Sequence, residues 1–365
     1  MGGFGALRAA SAPGMLQAMP ARLAILTPYG PPSPRGNAVT VARIARALAA
    51  SGVELSVWDL SRGNEASITA GVAAYAPALI HAFHAYRAGP LAMRLALQRG
   101  VPFVVTCTGT DANHDLHDPP RAEMVKKVLE GAGRVTVFHS SIADRILTVM
   151  PAVRERLTVV PQSVDLPVSE AFDLAAHWPL PAGRILFALP AGIRGVKNPT
   201  LPLSPLGRLV HALPEIRLLY VGPVLDPVVG QGLERELAAL PWAYHIGAVP
   251  HAQMGSLLSQ TDVVVNSSIS EGGMANSVLE ALWLGRAVLA SDIEGNRSVI
   301  DHGKTGLLFR DEAEFERNAA ALVRDRGLRE RLGRAGRDLV VQKYSAGQEV
   351  EGYKEVYRGL IGTFA

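Results

Sequence analysis

From Arg22 onward, two hydrophobic periods alternate along the chain. Short apolar runs, "LAILTP", "ELSVWDL", "ALIHAF", "PFVVTCT", "RVTVFHS" and "LTVVPQSV", read as six strands. Between them "AVTVARIARALAASG", "LAMRLALQRG", "RAEMVKKVLEGAG" and "SIADRILTVM" repeat their apolar positions at helical spacing. The first of these ends on Gly52, a good helix stop. The segment "DLPVSEAFDLAAHWPLPAG" then breaks the pattern with prolines and mixed polarity. Alternation restarts with "RILFALPA", "RLLYVGP", "YHIGAV", "DVVVNSS", "RAVLAS" and "GLLF", and the closing "GQEVEGYKEVYRGLIG" is an amphipathic helix. Strands alternating with helices predict parallel sheets covered on both faces. The expectation is an α/β chain of two doubly wound, Rossmann-like domains. They are expected at 21–168 and 169–343, behind a disordered lead-in at 1–20.

Composition narrows the function. A length of 365 residues suits two domains, and 48% apolar residues can fill two cores. The net charge is +3 and no Lys/Arg run is dense enough to track nucleic acid, so none is expected as a partner. Membrane contact is expected to be peripheral at most, because no run is long and apolar enough to span a bilayer. Residues Met1 to Pro20 lack the solid apolar segment of a secretory signal. Cys107 is the only cysteine, so no intramolecular disulfide can form; that fits a cytoplasmic protein.

Ligands of doubly wound sheets bind beyond the carboxyl ends of the strands, so candidates are sought there. After the first strand, Gly36 and Asn37 precede a helix, where free amides suit a phosphate or an acceptor. The spacing is not that of a dinucleotide fingerprint. "HAFHAYRAG" offers His81, His84 and Arg87; one histidine is expected to be structural, and His84 or Arg87 to face a cleft. No further ligands stand near them at metal spacing, so no metal is expected. In "TCTGTDANHD", Thr108, Gly109, Thr110 and Asp111 suit sugar hydroxyls, which need donors and acceptors. An Asx-type turn with a helix cap is the structural alternative. In "AGIRGVKNP", Arg194 and Lys197 suit a diphosphate. In "SEGGMANSVLEALWLG", Gly272 and Gly273 leave amides free and Asn276 and Ser277 begin a helix, while Glu271 and Glu280 could accept from the hydroxyls of two sugars.

"EGGMANSVLEALWLGRAVLASDIEGNRSVIDHGKTGLLF" resembles the nucleotide-sugar signature of family-four glycosyltransferases with the GT-B fold. "VGP" at Val221, "HIGAVPHAQM" at His245 and "VVPQSVD" at Val159 fall in that family's order. "RGNAVT", "TGTD" and "VNSSISEG" are similar to glycosyltransferase-one-domain-containing proteins, and the first two with "EGG" also to selenosugar synthases. The resemblance implies a retaining, metal-independent enzyme without cofactor. Its donor would be a nucleotide sugar, UDP- or GDP-linked, and its acceptor an unidentified sugar, lipid-linked sugar or small molecule. Arg194 and Lys197 would bind the diphosphate, Glu271 the transferred sugar and Glu280 the ribose. Amides of Gly273, Met274 and Ala275 would approach sugar and phosphate, and Ile246 and its neighbours would meet the base through the backbone. The last helix, 344–365, would cross back to the N-terminal domain. Glu271, Arg194, Lys197, His84 and Asp111 are the candidate catalytic residues.

Three positions depart from the family pattern. Eight residues instead of seven separate Glu271 from Glu280. Thr108 stands where the family has histidine, leaving that role vacant or open to His84 or His114. Arg194 is closer to Lys197 than usual. A selenosugar synthase joining a UDP-sugar to selenophosphate, a nucleotide-sugar 2-epimerase and a non-catalytic binder remain alternatives.

Overall fold

The computed structural model describes residues 21–31, 33, 35–164, 166, 170–271 and 273–362. The expected lead-in, the boundary at 168/169 and Gly272 lie outside the described residues. All twelve expected strands form. The first six are β1 (Leu23–Thr27), β2 (Leu55–Asp59), β3 (Leu79–Phe83), β4 (Phe103–Cys107), β5 (Arg134–Val137) and β6 (Leu157–Val159). The second six are β7 (Ile185–Pro190), β8 (Ile216–Val221), β9 (Ala243–His245), β10 (Val263–Asn266), β11 (Ala287–Ser291) and β12 (Leu307–Phe309). They build two parallel sheets in the orders β2-β1-β3-β4-β5-β6 and β12-β11-β10-β7-β8-β9. Continuous apolar runs produce this because helices cover both faces; β1, β3, β4 and β11 are buried along their whole length.

Each sheet reverses its winding at one point, β1/β3 in the first and β7/β10 in the second. Loops leaving two such strands diverge to opposite faces and open a crevice. The segments after β1, β3, β7 and β10 carry Gly36 and Asn37, His84 and Arg87, Arg194 and Lys197, and Glu271 and Glu280, whereas Thr108 to Asp111 follow β4 and Ile246 follows β9. The fold therefore directs those first four pairs toward one region.

The helix Glu65–Tyr75, unanticipated from the pattern, connects β2 and β3; it is capped by Asn64, whose side chain accepts from the Ser67 amide. The final helix, Ala346–Ile361, starts in a capping box between Ser345 and Gln348. Its Val350, Tyr353, Val356 and Tyr357 pack with Val41, Ile44 and Leu48 of the helix Gly36–Ala50. Glu349 pairs there with Arg43 and accepts from Ser163 Oγ at 2.7 Å, all three side chains being buried. The C-terminal end of the chain thus rests on the N-terminal lobe. No described helix is long and apolar enough to cross a membrane.

Candidate functional site

A cleft of about 890 Å³ opens between the lobes. Its C-terminal wall is built on the β7/β10 reversal. The loop after β7 tightens into a turn at Gly195–Lys197 and leaves through Asn198, which is left-handed at φ 45°. Ser267 Oγ holds it against the loop after β10, donating to the carbonyls of Lys197 and Asn198, each at 2.9 Å. The Ile269 amide adds a bond to Val196 O at 2.9 Å. This stitching brings Lys197 Nζ to 2.5 Å from Glu271 Oε1. Ser268 Oγ and Asn266 Nδ2 donate to the same oxygen at 2.6 and 3.2 Å. Burial pushes the Glu271 carboxyl up; the Lys197 charge and these hydrogen bonds outweigh it and hold the carboxyl below its ordinary value. Glu271 is therefore an anion with one oxygen spent on its own lobe.

Gly295 makes the arrangement possible. A Cβ there would meet Gly273 O at 2.4 Å and Glu271 Cβ at 2.7 Å. Arg194 reaches the same cleft, with its Nε buried and unpartnered. Glu280 lies in the second turn of the helix Asn276–Trp283 and its Oε1 is 3.1 Å from His251 Nε2. With eight residues between them both acids line the cleft, together with Gly273, Met274, Ala275, Asn276 and Ser277. The first amides of that helix have no carbonyl of their own turn to bond, so its start presents donors.

The N-terminal wall follows from the β1/β3 reversal. Gly36 and Asn37 begin the helix Gly36–Ala50 and line the cleft. His84 takes a left-handed backbone, φ 88°, rare for a residue with a side chain. The Arg87 amide donates to its Nδ1 at 3.2 Å, so in the neutral ring the proton is on Nε2, 3.0 Å from Thr110 Oγ1. His84, Arg87, Thr108 and Thr110 all face the cleft. His114 is exposed and outside the lining, so of these two histidines His84 is the one in the cleft.

Three expected residues are placed elsewhere. Asp111 is fully buried and does not line the cleft. Its carboxylate accepts from the amides of Ala85, Gly109, Thr108 and Ala112, which clamps the loops after β3 and β4 together. These bonds are those of the turn alternative, with the Asp111 carboxylate engaged by backbone amides. Gly109 turns that loop at φ 132° without lining the cleft. Ile246 is also outside the lining; its amide bonds Tyr220 O and its side chain packs in the lobe core, while Ala248, Val249, Pro250 and His251 form the wall. His81 is the structural histidine: it is buried between Tyr357 Oη at 2.8 Å and Thr106 Oγ1 at 2.7 Å, and burial lowers its pKa to about 3.

Sequence reasoning missed several residues that join the walls. Gln162 donates to Thr40 Oγ1 at 3.1 Å and also bonds Asn276 Oδ1. Asn276 Nδ2 reaches Thr40 Oγ1 at 3.2 Å, and Asn113 Nδ2 donates to Glu271 O at 2.9 Å. Arg145 bridges Asn113 and Glu294. These partners lie far apart in the chain, so no local pattern signals them. His251 was within reach: "VPHAQM" starts a helix directly after a strand end.

Comparison with known proteins agrees with this geometry. Residues 193–325 match the family model for glycosyl transferases group 1. Residues 65–162 match that for a glycosyl transferase 4-like domain. Glycosyltransferase 1 domain-containing protein 1 of Xenopus tropicalis is 29% identical over 334 residues, covering 89% of this chain and 94% of that protein. D-inositol 3-phosphate glycosyltransferase of Nocardia farcinica is 28% identical over 273 residues, covering 69% of this chain and 58% of that one. Among solved structures, sucrose-phosphate synthase from Thermosynechococcus elongatus superposes with a TM-score of 0.80 at 19% identity, over 94% of this chain and 99% of that one. HepE from Anabaena in complex with UDP-glucose gives 0.76 at 12%, over 94% and 100%. At such identities these two speak for the fold alone. Two facing doubly wound lobes give this chain the GT-B fold, and its two halves match, in turn, a glycosyl transferase 4-like domain and the glycosyl transferases of group 1.

Proposed function

We propose that the chain transfers a glycosyl group from a UDP-linked sugar, with retention of anomeric configuration, to an acceptor entering along the N-terminal wall. The observation that carries this reading is the convergence of Arg194, Lys197, Glu271 and Glu280 from the β7 and β10 loops onto one cleft. Two cations and the amides at the start of the helix Asn276–Trp283 suit a diphosphate, whose charge grows as the bond to the sugar breaks. Glu280, which lines the same cleft, would accept from ribose hydroxyls. Glu271 keeps Oε2 for the transferred sugar, since its described bonds all use Oε1. Structural neighbours determined with UDP and UDP-glucose support uridine as the base.

In the reaction, the bond from the anomeric carbon to the diphosphate oxygen breaks. The acceptor's nucleophilic atom bonds that carbon on the same face, and the departing phosphate oxygen takes the acceptor's proton. His84 presents an N–H at Nε2, which suits holding a hydroxyl oxygen better than removing a proton. The diphosphate charge is met by side chains and amides, with no metal required.

A thermal-shift series against UDP-, GDP- and ADP-sugars tests the donor. At a hundred times Kd the donor adds about 2.7 kcal/mol of stability. The reading expects the largest shift from a UDP-sugar and its loss in Glu280→Ala. No shift from any nucleotide sugar, or an equal shift in the variant, overturns it.

A further inference from the structure

The two walls carry opposite chemistry. Both acids of the described lining, Glu271 and Glu280, stand on the C-terminal wall. The N-terminal lining contains Arg35, Arg46, His84 and Arg87 with hydroxyls and amides, and no carboxylate among its described residues. Arg35 and Arg87 converge on one ring: their Cζ atoms lie 4.5 and 5.6 Å from the Tyr29 centroid. Arg87 Nη1 also donates to Tyr29 Oη at 2.8 Å. Among the described residues neither of these two guanidiniums is paired with a carboxylate. Beside them both polar atoms of the Asn37 amide are buried without a partner, where the helix Gly36–Ala50 begins with its positive end. Like charges gathered at a cleft with an unused amide are costly unless an anion completes them.

We infer that the acceptor carries a phosphate-type dianion, seated between Arg35 and Arg87 with Asn37 beside it. The inference rests on the glycosyl-transfer reading and names the acceptor's chemical class. The donor's diphosphate has Arg194 and Lys197 on the opposite wall, so the N-terminal cations serve the second substrate. The dianion can be the whole acceptor, a free oxyanion, or the phosphate group of a phosphorylated alcohol.

The test is calorimetric titration of the UDP-saturated protein with inorganic phosphate, glucose 6-phosphate and glucose. Wild type, Arg35→Gln, Arg87→Gln and Arg87→Lys are compared, with thermal melts to confirm folding. The phosphate-bearing probes bind and glucose does not. Each Gln variant weakens them about 10-fold or more, as expected for a lost charge-assisted bond, while UDP affinity stays within about 3-fold. Arg87→Lys restores part of the loss. Inorganic phosphate binding as tightly as glucose 6-phosphate assigns the site to a free oxyanion; a clear preference for glucose 6-phosphate assigns it to a phosphorylated alcohol. Glucose binding as well as its phosphate, or UDP affinity falling in step with phosphate affinity, overturns the inference. Wild type failing to bind UDP at all defeats the glycosyl-transfer reading instead.

Discussion

The two walls of the cleft are built by the same topological device and yet differ in how they present their chemistry. On the C-terminal wall the key groups are locked to one another. Lys197, Glu271, Ser268 and Asn266 form one network, and Ser267 ties its two loops together. On the N-terminal wall Arg35 and Arg87 stand around the Tyr29 ring, neither paired with a carboxylate among the described residues. A site that receives the same diphosphate in every turnover gains from a preformed arrangement. On the proposed reading the opposite wall meets the second substrate and leaves the charges of Arg35 and Arg87 for it to complete.

The largest effect expected from breaking this contrast is at Lys197. Lys197→Ala removes the cation proposed for the diphosphate and leaves Glu271 buried without its partner. We expect kcat to fall about 100- to 1,000-fold, by analogy with deleting a single donor to a developing anion. Steady-state kinetics with varied donor and acceptor check it; a variant within a few-fold of wild type would remove the C-terminal wall from catalysis.

A smaller effect sharpens the claim of preorganisation. Gly295→Ala adds a methyl 2.4 Å from Gly273 O and 2.7 Å from Glu271 Cβ. Overpacking of this kind costs about 1–3 kcal/mol, and here it pushes on the loop that carries Glu271. We expect a lower melting temperature together with a roughly 10-fold loss of kcat, while phosphate binding on the N-terminal wall stays unchanged. Loss of stability alone would show that the position of Glu271 tolerates movement.

The smallest effect separates the lobes by pH. His81 stays neutral in the folded N-terminal lobe because burial lowers its pKa from 6.5 to about 3. The unfolded chain binds a proton there below pH 6.5 and the folded one does not. Stability is therefore fully present above pH 6.5 and declines as pH falls toward 3, by up to about 1.4 kcal/mol per pH unit. Glu271, held below its ordinary 4.5, adds stability that is present above that value and is lost as pH falls through its folded pKa. Urea unfolding at pH 7.5 and 5.5 should show weakening that His81→Gln abolishes. An equal pH slope in the variant would assign the effect to another group.

Much of this was legible from the chain. The twelve strands were, because an element buried on both faces must be apolar throughout. So was the pairing of glycines with Glu271 and Glu280, because a loop between a strand end and a helix start has few other uses for that composition. The helix Glu65–Tyr75 escaped notice: its apolar residues are spread around it, with only Ile68 and Val72 buried, so it carries almost no amphipathic period. Asp111 was misplaced because a carboxylate two residues beyond a strand-end glycine looks alike in sequence whether it turns to the backbone or to a ligand. Ile246 and its neighbours were placed at the base by family resemblance; Ile246 itself packs in the lobe core, and the wall is formed by the residues after it.

The sequence by itself determined which segments are strands, that the chain folds as two parallel-sheet lobes, and which loops carry ionisable groups, since hydrophobic period and chain order are local properties. Tertiary structure alone decided that Gln162, Thr40 and Asn276 join the lobes, that His251 stands by Glu280, and that Arg35 and Arg87 share one tyrosine. Those contacts join residues brought together only when the sheets reverse their winding and the lobes face each other, and the direction of a side chain across that gap is set by packing from both sides.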